Sequence, residues 1–172
     1  MLLVFLVIVL TGCSSDIKLE NWKVRVLKSG YGPCETYFTT EQAVVIALSV
    51  KNIGEFSNGL YTLELTLIDS SGNFYRGGIF STYGSHYSDF YACQKDIAVS
   101  FNSGANLNIV TKSDILPGEE DIVLFIFMTD DSEIGTRALK LRIQEEGNKG
   151  FGVQIIAEKT TELSDLQRIT LP

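Results

Sequence analysis

One histidine, three cysteines and no long basic tract are what first limit the reading of this 172-residue chain. Its 21 acidic residues outnumber 14 basic ones, for a net charge of −7. That is a poor electrostatic match to nucleic acid, whose binding is dominated by phosphate neutralisation, so nucleic acid is set aside as a partner. A zinc site needs three or four His, Cys or carboxylate ligands, which His86 and a scarce set of cysteines do not supply. Nucleophilic hydrolysis needs a Ser or Cys beside a base. His86 stands between Ser85 and Tyr87 without a nucleophile-elbow pattern, and adjacent residues of an extended chain point to opposite sides. No metal, cofactor or catalytic residue is therefore assigned, and the chain is not expected to be an enzyme. The alternative is a carboxylate-dependent enzyme or accessory domain, working as glycosidases do. A purely structural component of the cell envelope is a third reading.

Long apolar runs are also missing, except for Met1 to Leu10. Ten helical residues rise only about 15 Å, half of a hydrocarbon core of roughly 30 Å, so this run cannot span a bilayer as a finished helix. A short apolar run followed at once by small residues has the layout of a secretory signal meeting its cleavage site. Leu10, Thr11, Gly12 and Cys13 resemble the lipobox of bacterial-type lipoproteins, with Ser14, Ser15 and Asp16 as a polar spacer. The departure is the absence of Lys or Arg before the apolar run. The resemblance implies residues 1–12 as signal peptide, an acylated Cys13 as mature N-terminus and residues 13–21 as a short linker. Two or more acyl chains give stable anchoring where one gives marginal anchoring, so the expected location is a cell membrane or outer envelope, facing the extracytoplasmic side.

Cys34 and Cys93 then remain, in a compartment that permits disulfides. Closing their 59-residue separation (93 minus 34) would stabilise the fold by roughly 4 kcal/mol in the chain-entropy picture. Two independent buried thiols are the other reading.

Helical periodicity is scarce, confined to Thr161 to Ile169, while period-two alternation is common. Trp22, Val24 and Val26 alternate with Lys23 and Arg25. Val44, Ile46, Leu48 and Val50 alternate with Val45, Ala47, Ser49 and Lys51, and Leu63, Leu65 and Leu67 with Thr62, Glu64 and Thr66. Such faces are expected to meet a core on one side and water on the other. Asp69 to Asn73 supplies turn chemistry before a short strand at Phe74 to Arg76. Further strands are expected at Ile97 to Phe101, Leu107 to Thr111, Ile122 to Thr129, Ala138 to Gln144 and Gly152 to Glu158, with a turn at Leu116, Pro117 and Gly118. Seven to nine short strands predict an all-β, two-sheet immunoglobulin-like β-sandwich over residues 22–158, with an aromatic insert at 76–106 and a tail at 159–172.

The stretch from Ala43 to Tyr75 resembles the telokin-like immunoglobulin-fold domains of prokaryotic lipoproteins. It carries an apolar strand ending in Val50, Lys51, Asn52 and Gly54, then a Leu-alternating strand ending in Asp69, Gly72 and Tyr75. Leu116, Pro117 and Gly118 before Val123 to Phe127 match that family's Pro-Gly turn and apolar strand. The resemblance covers roughly Trp22 to Ile143. It implies a fold and an address, with a role in binding or adhesion at the cell surface and no catalytic residues.

Two surface features complete the reading. Seven of the seventeen aromatics beyond residue 12 fall between Phe74 and Tyr91, interleaved with Gly and Ser in the mixture typical of binding loops. Tyr75, Tyr83, Tyr87, Phe90 and Tyr91 are the candidate contacts for a protein or glycan partner; the plainer reading makes them a satellite core. Lys18, Lys23, Arg25 and Lys28, with Arg137, Lys140 and Arg142, would form a basic stripe toward anionic head groups if the terminal strands were neighbours. Edge charges that discourage strand pairing are the plainer account. Asp69, Ser71 and Asn73 echo a calcium loop only superficially, because Gly comes fourth and Phe80 stands at the twelfth position. Glu119 to Asp121 and Asp130, Asp131 and Glu133 flank one strand as a weak hard-cation site or as charges that protect it from aggregation.

Overall fold

Apolar faces on extended segments must be covered, and their backbones must find ladder partners. Residues 15–35, 40–79, 96–101, 114–149, 152–163 and 166–169 are described in the computed structural model. They form β1 (Ile17–Lys18), β2 (Trp22–Glu35), β3 (Thr40–Asn52), β4 (Asn58–Gly59), β5 (Leu63–Asp69), β6 (Phe74–Ile79), β7 (Asp114–Ile115), β8 (Glu120–Thr129), β9 (Leu139–Lys149), β10 (Gly152–Leu163) and β11 (Gln167–Arg168). Seven of these strands are six residues or longer. The all-β expectation holds.

One hydrogen-bonded path runs β1-β2-β3-β8-β6-β5-β9-β10, with β11 added parallel to β2 and with β4 pairing β7 separately. Strand β6 holds the path together. Phe74 to Arg76 pair with β5, and Gly77 to Ile79 pair with β8. The two groups of strands that β6 joins supply the main core, centred on Trp22, Ile46, Leu65, Leu67, Phe125, Phe127, Leu141 and Ile143.

Strand β3 departs from the one-sided expectation: Val45 and Ala47, on the face assigned to water, are as fully buried as Val44 and Ile46. They belong to a second core with Cys34, Ile97, Ala98, Phe101, Leu124, Ile126 and Ile169. Residues 96–101, expected as a strand, are helical, and we label them α1. Ile97, Ala98 and Phe101 are buried while Val99 is exposed, which is helical phase. The alternation of Ile97, Val99 and Phe101 misled the sequence reading because a spacing of four satisfies both periods.

A bulge at Leu27 directs β2 into this second core. Val26 pairs Leu48 and Lys28 pairs Ala47, so the extra residue reverses which side chains face which core. Trp22 and Val24 enter the main core before the bulge, and Cys34 enters the second core after it. Gly30 and Gly32 allow the cover to approach closely. A Cβ at Gly30 would lie 2.9 Å from the Gln167 carbonyl oxygen and 3.1 Å from the Phe101 ring.

Among the described residues of Thr161 to Ile169, where helical spacing was read, β10 continues to Leu163 and β11 docks on β2. On either side of residues 22–158, β1 and β11 both pair with β2.

Candidate functional site

Strand β9 turns Leu139, Leu141 and Ile143 inward, and the next inward position is Glu145, only 1% exposed. A carboxylate there must find donors. Asn21, in the β1–β2 turn, supplies them: its backbone N–H donates to Oε1 and Oε2 at 3.2 and 3.1 Å, and Nδ2 donates to Oε1 at 2.6 Å. Asp16, Glu64, Asp69, Glu120, Asp131 and Glu162 all pair with Lys or Arg. Glu145 pairs with no cation among the described residues.

Beside this pair lies a cleft of about 280 Å³, lined by Asn21, Asn58, Tyr61, Thr62, Glu145, Glu146, Gly147, Val153 and Ile156. One wall is the 3₁₀ turn Leu60–Thr62, held by its buried Leu60. The Thr62 hydroxyl donates to the Gly59 carbonyl at 2.8 Å and accepts from Trp22 Nε1 at 3.0 Å. Tyr61 projects from this turn, 79% exposed. Its ring lies against Gly59, where a Cβ would meet a ring carbon at 1.9 Å. The other wall is the β9–β10 hairpin, which contributes Val153, 65% exposed, and Ile156. The arrangement is a preformed acidic cleft with an aromatic wall.

Sequence reasoning missed this site. A usable signal was present: Glu145 continues the inward phase of Leu139, Leu141 and Ile143. Nothing local linked it to Asn21, 124 residues away.

Among the expected site residues, Tyr75 is described, and Cys13, Cys93, Tyr83, His86, Tyr87, Phe90 and Tyr91 lie outside the described residues. The Tyr75 ring is partly buried against the main core. Its hydroxyl donates to Asp69 Oδ2 at 3.1 Å, and burial together with that carboxylate raises its pKa. Tyr75 thus serves a structural network. Cys34 is fully buried and has an interaction partner. Ile97, four residues after Cys93, packs in the same cluster.

Asp69 is the centre of that network and forms a turn, as expected. Its Oδ1 accepts from the Ser71 and Asn73 N–H groups at 2.8 and 2.9 Å. Its Oδ2 accepts from Asn73 Nδ2 and Arg137 Nη1, both at 2.9 Å. Gly72 takes φ of 86° in the same turn. Burial would raise the Asp69 pKa, but the hydrogen bonds from Asn73, Ser71 and Tyr75 outweigh it and hold the carboxyl far below the usual range.

The basic stripe does not assemble, because β2 and β9 are separated by β3, β8, β6 and β5. Lys23 pairs with Asp16 at 2.6 Å and Arg25 with Glu120 at 3.6 Å. Lys28 donates to the Phe101 carbonyl and lies over that residue's ring. Lys140 pairs with Glu162, and Arg142 lies over the Phe74 ring. The flanking acids also separate: Glu120 joins Arg25 and Ser49 at one end of β8, and Asp131 joins Arg137 beyond the other. Among the described residues no metal-holding cluster of His, Cys, Asp or Glu forms, and no helix is long and apolar enough to cross a membrane.

No protein-family model matches the chain, and neither does any curated protein. Solved structures do resemble it. An uncharacterized β-sandwich protein from Clostridium difficile 630 is 15% identical, with 88% of this chain and 91% of the other covered and a TM-score of 0.50. A functionally unknown protein from Listeria monocytogenes is 11% identical, with coverages of 88% and 81% and a TM-score of 0.53. A Staphylococcus aureus protein provisionally described as a lipoprotein is 9% identical, covers 87% and 88%, and has a TM-score of 0.45. Likeness at these identities shows an all-β fold of the kind described as a β-sandwich and carries no function with it.

Proposed function

We propose that this chain is a lipid-anchored, extracytoplasmic binding module without catalytic activity, built as a two-sheet, telokin-like immunoglobulin domain. The lipobox-like Leu10, Thr11, Gly12 and Cys13 support the anchor. The passage of β6 from β5 to β8 fits two layers that share a strand. The observation that carries the binding reading is Tyr61: a large ring, exposed yet seated on Gly59, forms one wall of a cleft. Exposed, pre-positioned aromatics give contact area at low ordering cost and are enriched at interfaces. The partner is a protein or a glycan, and Tyr83, Tyr87, Phe90 and Tyr91 offer a second contact region.

The test is site-specific photo-crosslinking in intact lipidated protein at its own membrane. A benzophenone side chain at position 61 should give one discrete adduct, absent when the probe is placed at Lys18. Identical adducts from both positions would reject the cleft. Adducts from positions 83 and 87 alone would move the contact to the insert.

A further inference from the structure

We propose that the Asn21–Glu145 cleft receives the cationic group of its ligand, an alkylammonium or guanidinium on an aliphatic stem; this rests on reading the cleft as a binding site. The first observation is charge. Among the described residues the lining holds two carboxylates, Glu145 and Glu146, and neither Lys nor Arg. Buried charges are ordinarily paired, since an uncompensated one is costly away from water. Asn21 supplies Glu145 with neutral donors only, so no cation among the described residues compensates its charge. Glu146 likewise has no ion-pair partner among the described residues. A ligand cation would supply the missing charge.

The second observation is independent of charge. Tyr61 presents a ring held in place by Gly59, and a ring face attracts ammonium and guanidinium groups through its quadrupole. Val153 and Ile156, on the other wall, can cover a methylene stem. The volume of about 280 Å³ suits one side chain or one small head group and is too small for an extended oligomer. A neutral sugar would leave the Glu145 charge uncompensated. The acidic whole, at −7, favours approach of cations.

The experiment is an amide-shift titration of the full lipidated chain in micelles, followed at Asn21 and Gly147. The probes are N-acetyl-lysine methylamide, its arginine counterpart, the isosteric norleucine amide, an amino sugar and a neutral methyl glycoside. The lysine or arginine amide should shift both signals with a Kd of about 1 to 10 mM, and norleucine should bind at least about tenfold more weakly. The amino sugar against the peptide amides distinguishes the two sources of the cation. Glu146→Gln and Tyr61→Ala, both partly or largely exposed positions, should each weaken the lysine probe severalfold while leaving the fold intact. Norleucine binding as tightly as lysine, or binding unaffected by Glu146→Gln, would overturn the cation assignment. Shifts with the neutral glycoside alone would overturn it and keep the cleft as a binding site. No shift with any probe would reject the cleft itself.

Discussion

Arg137 closes the β5–β6 turn: its Nη1 donates to Asp69 Oδ2 at 2.9 Å, across a side chain that is otherwise sealed from solvent. The consequence is a pH dependence with a definite sign. The Asp69 carboxyl is held low in the native state, whereas in the unfolded chain it titrates near about 3.9. The unfolded state then binds more protons in the acid range, so stability rises with pH there. The contribution is complete above about pH 5 and is lost as pH falls below about 4. Urea midpoints of wild type and Asp69→Asn should differ most near neutrality and converge in acid. A gap that does not change with pH would contradict this.

Asn52 should be far less tolerant than its place at a strand end implies. Its Nδ2 donates to the Phe56 and Ile115 carbonyls, both at 2.8 Å, and its Oδ1 accepts from the Gly54 N–H at 2.9 Å. Its backbone carbonyl accepts from Gly118, which sits at φ of 81° in the Pro-Gly turn. Asn52→Ala leaves two carbonyls without a donor and should cost about 2 to 4 kcal/mol by denaturant unfolding. Asn52→Asp should be at least as damaging, since it turns a carboxylate oxygen toward those carbonyls. A loss under about 0.5 kcal/mol for either variant would show that the ties are dispensable.

Acylation of Cys13 is read out by metabolic labelling with a fatty acid. Wild type should take up label and partition with membranes, and Cys13→Ser should take up none and be released or remain a precursor. Label retained by the variant would disprove the anchor.

A Cys34 to Cys93 disulfide is expected from the pairing arithmetic and from Ile97 packing in the same cluster as Cys34. Peptide mapping without reductant should recover the two cysteines in one linked fragment. Alkylation of both as free thiols in exported protein would refute the bond.

His86→Ala should leave unfolding free energy within about 0.5 kcal/mol of wild type and leave partner adducts unchanged. Lost function with an intact fold would reopen the enzyme reading.

Local alternation made the start of β2, β3 and β5 legible in the sequence, and an unbroken apolar run did the same for β8, because both patterns depend only on neighbouring residues. The turns at Asp69 to Asn73 and Leu116 to Gly118 were legible for a similar reason, with Gly72 and Gly118 at positive φ where L side chains are strained. The sequence pattern also contained Glu145 at an inward position of β9. Tertiary structure alone decided the rest. The bulge at Leu27 set which core receives Cys34, and burial against β3 made residues 96–101 a helix although their spacing fits a strand equally well. The separation of β2 from β9 scattered the basic residues among carboxylate, carbonyl and aromatic partners. The Asn21–Glu145 contact spans 124 residues of chain; chain distance carries no information about which inward carboxylate meets which donor, and only the tertiary fold brings those two together.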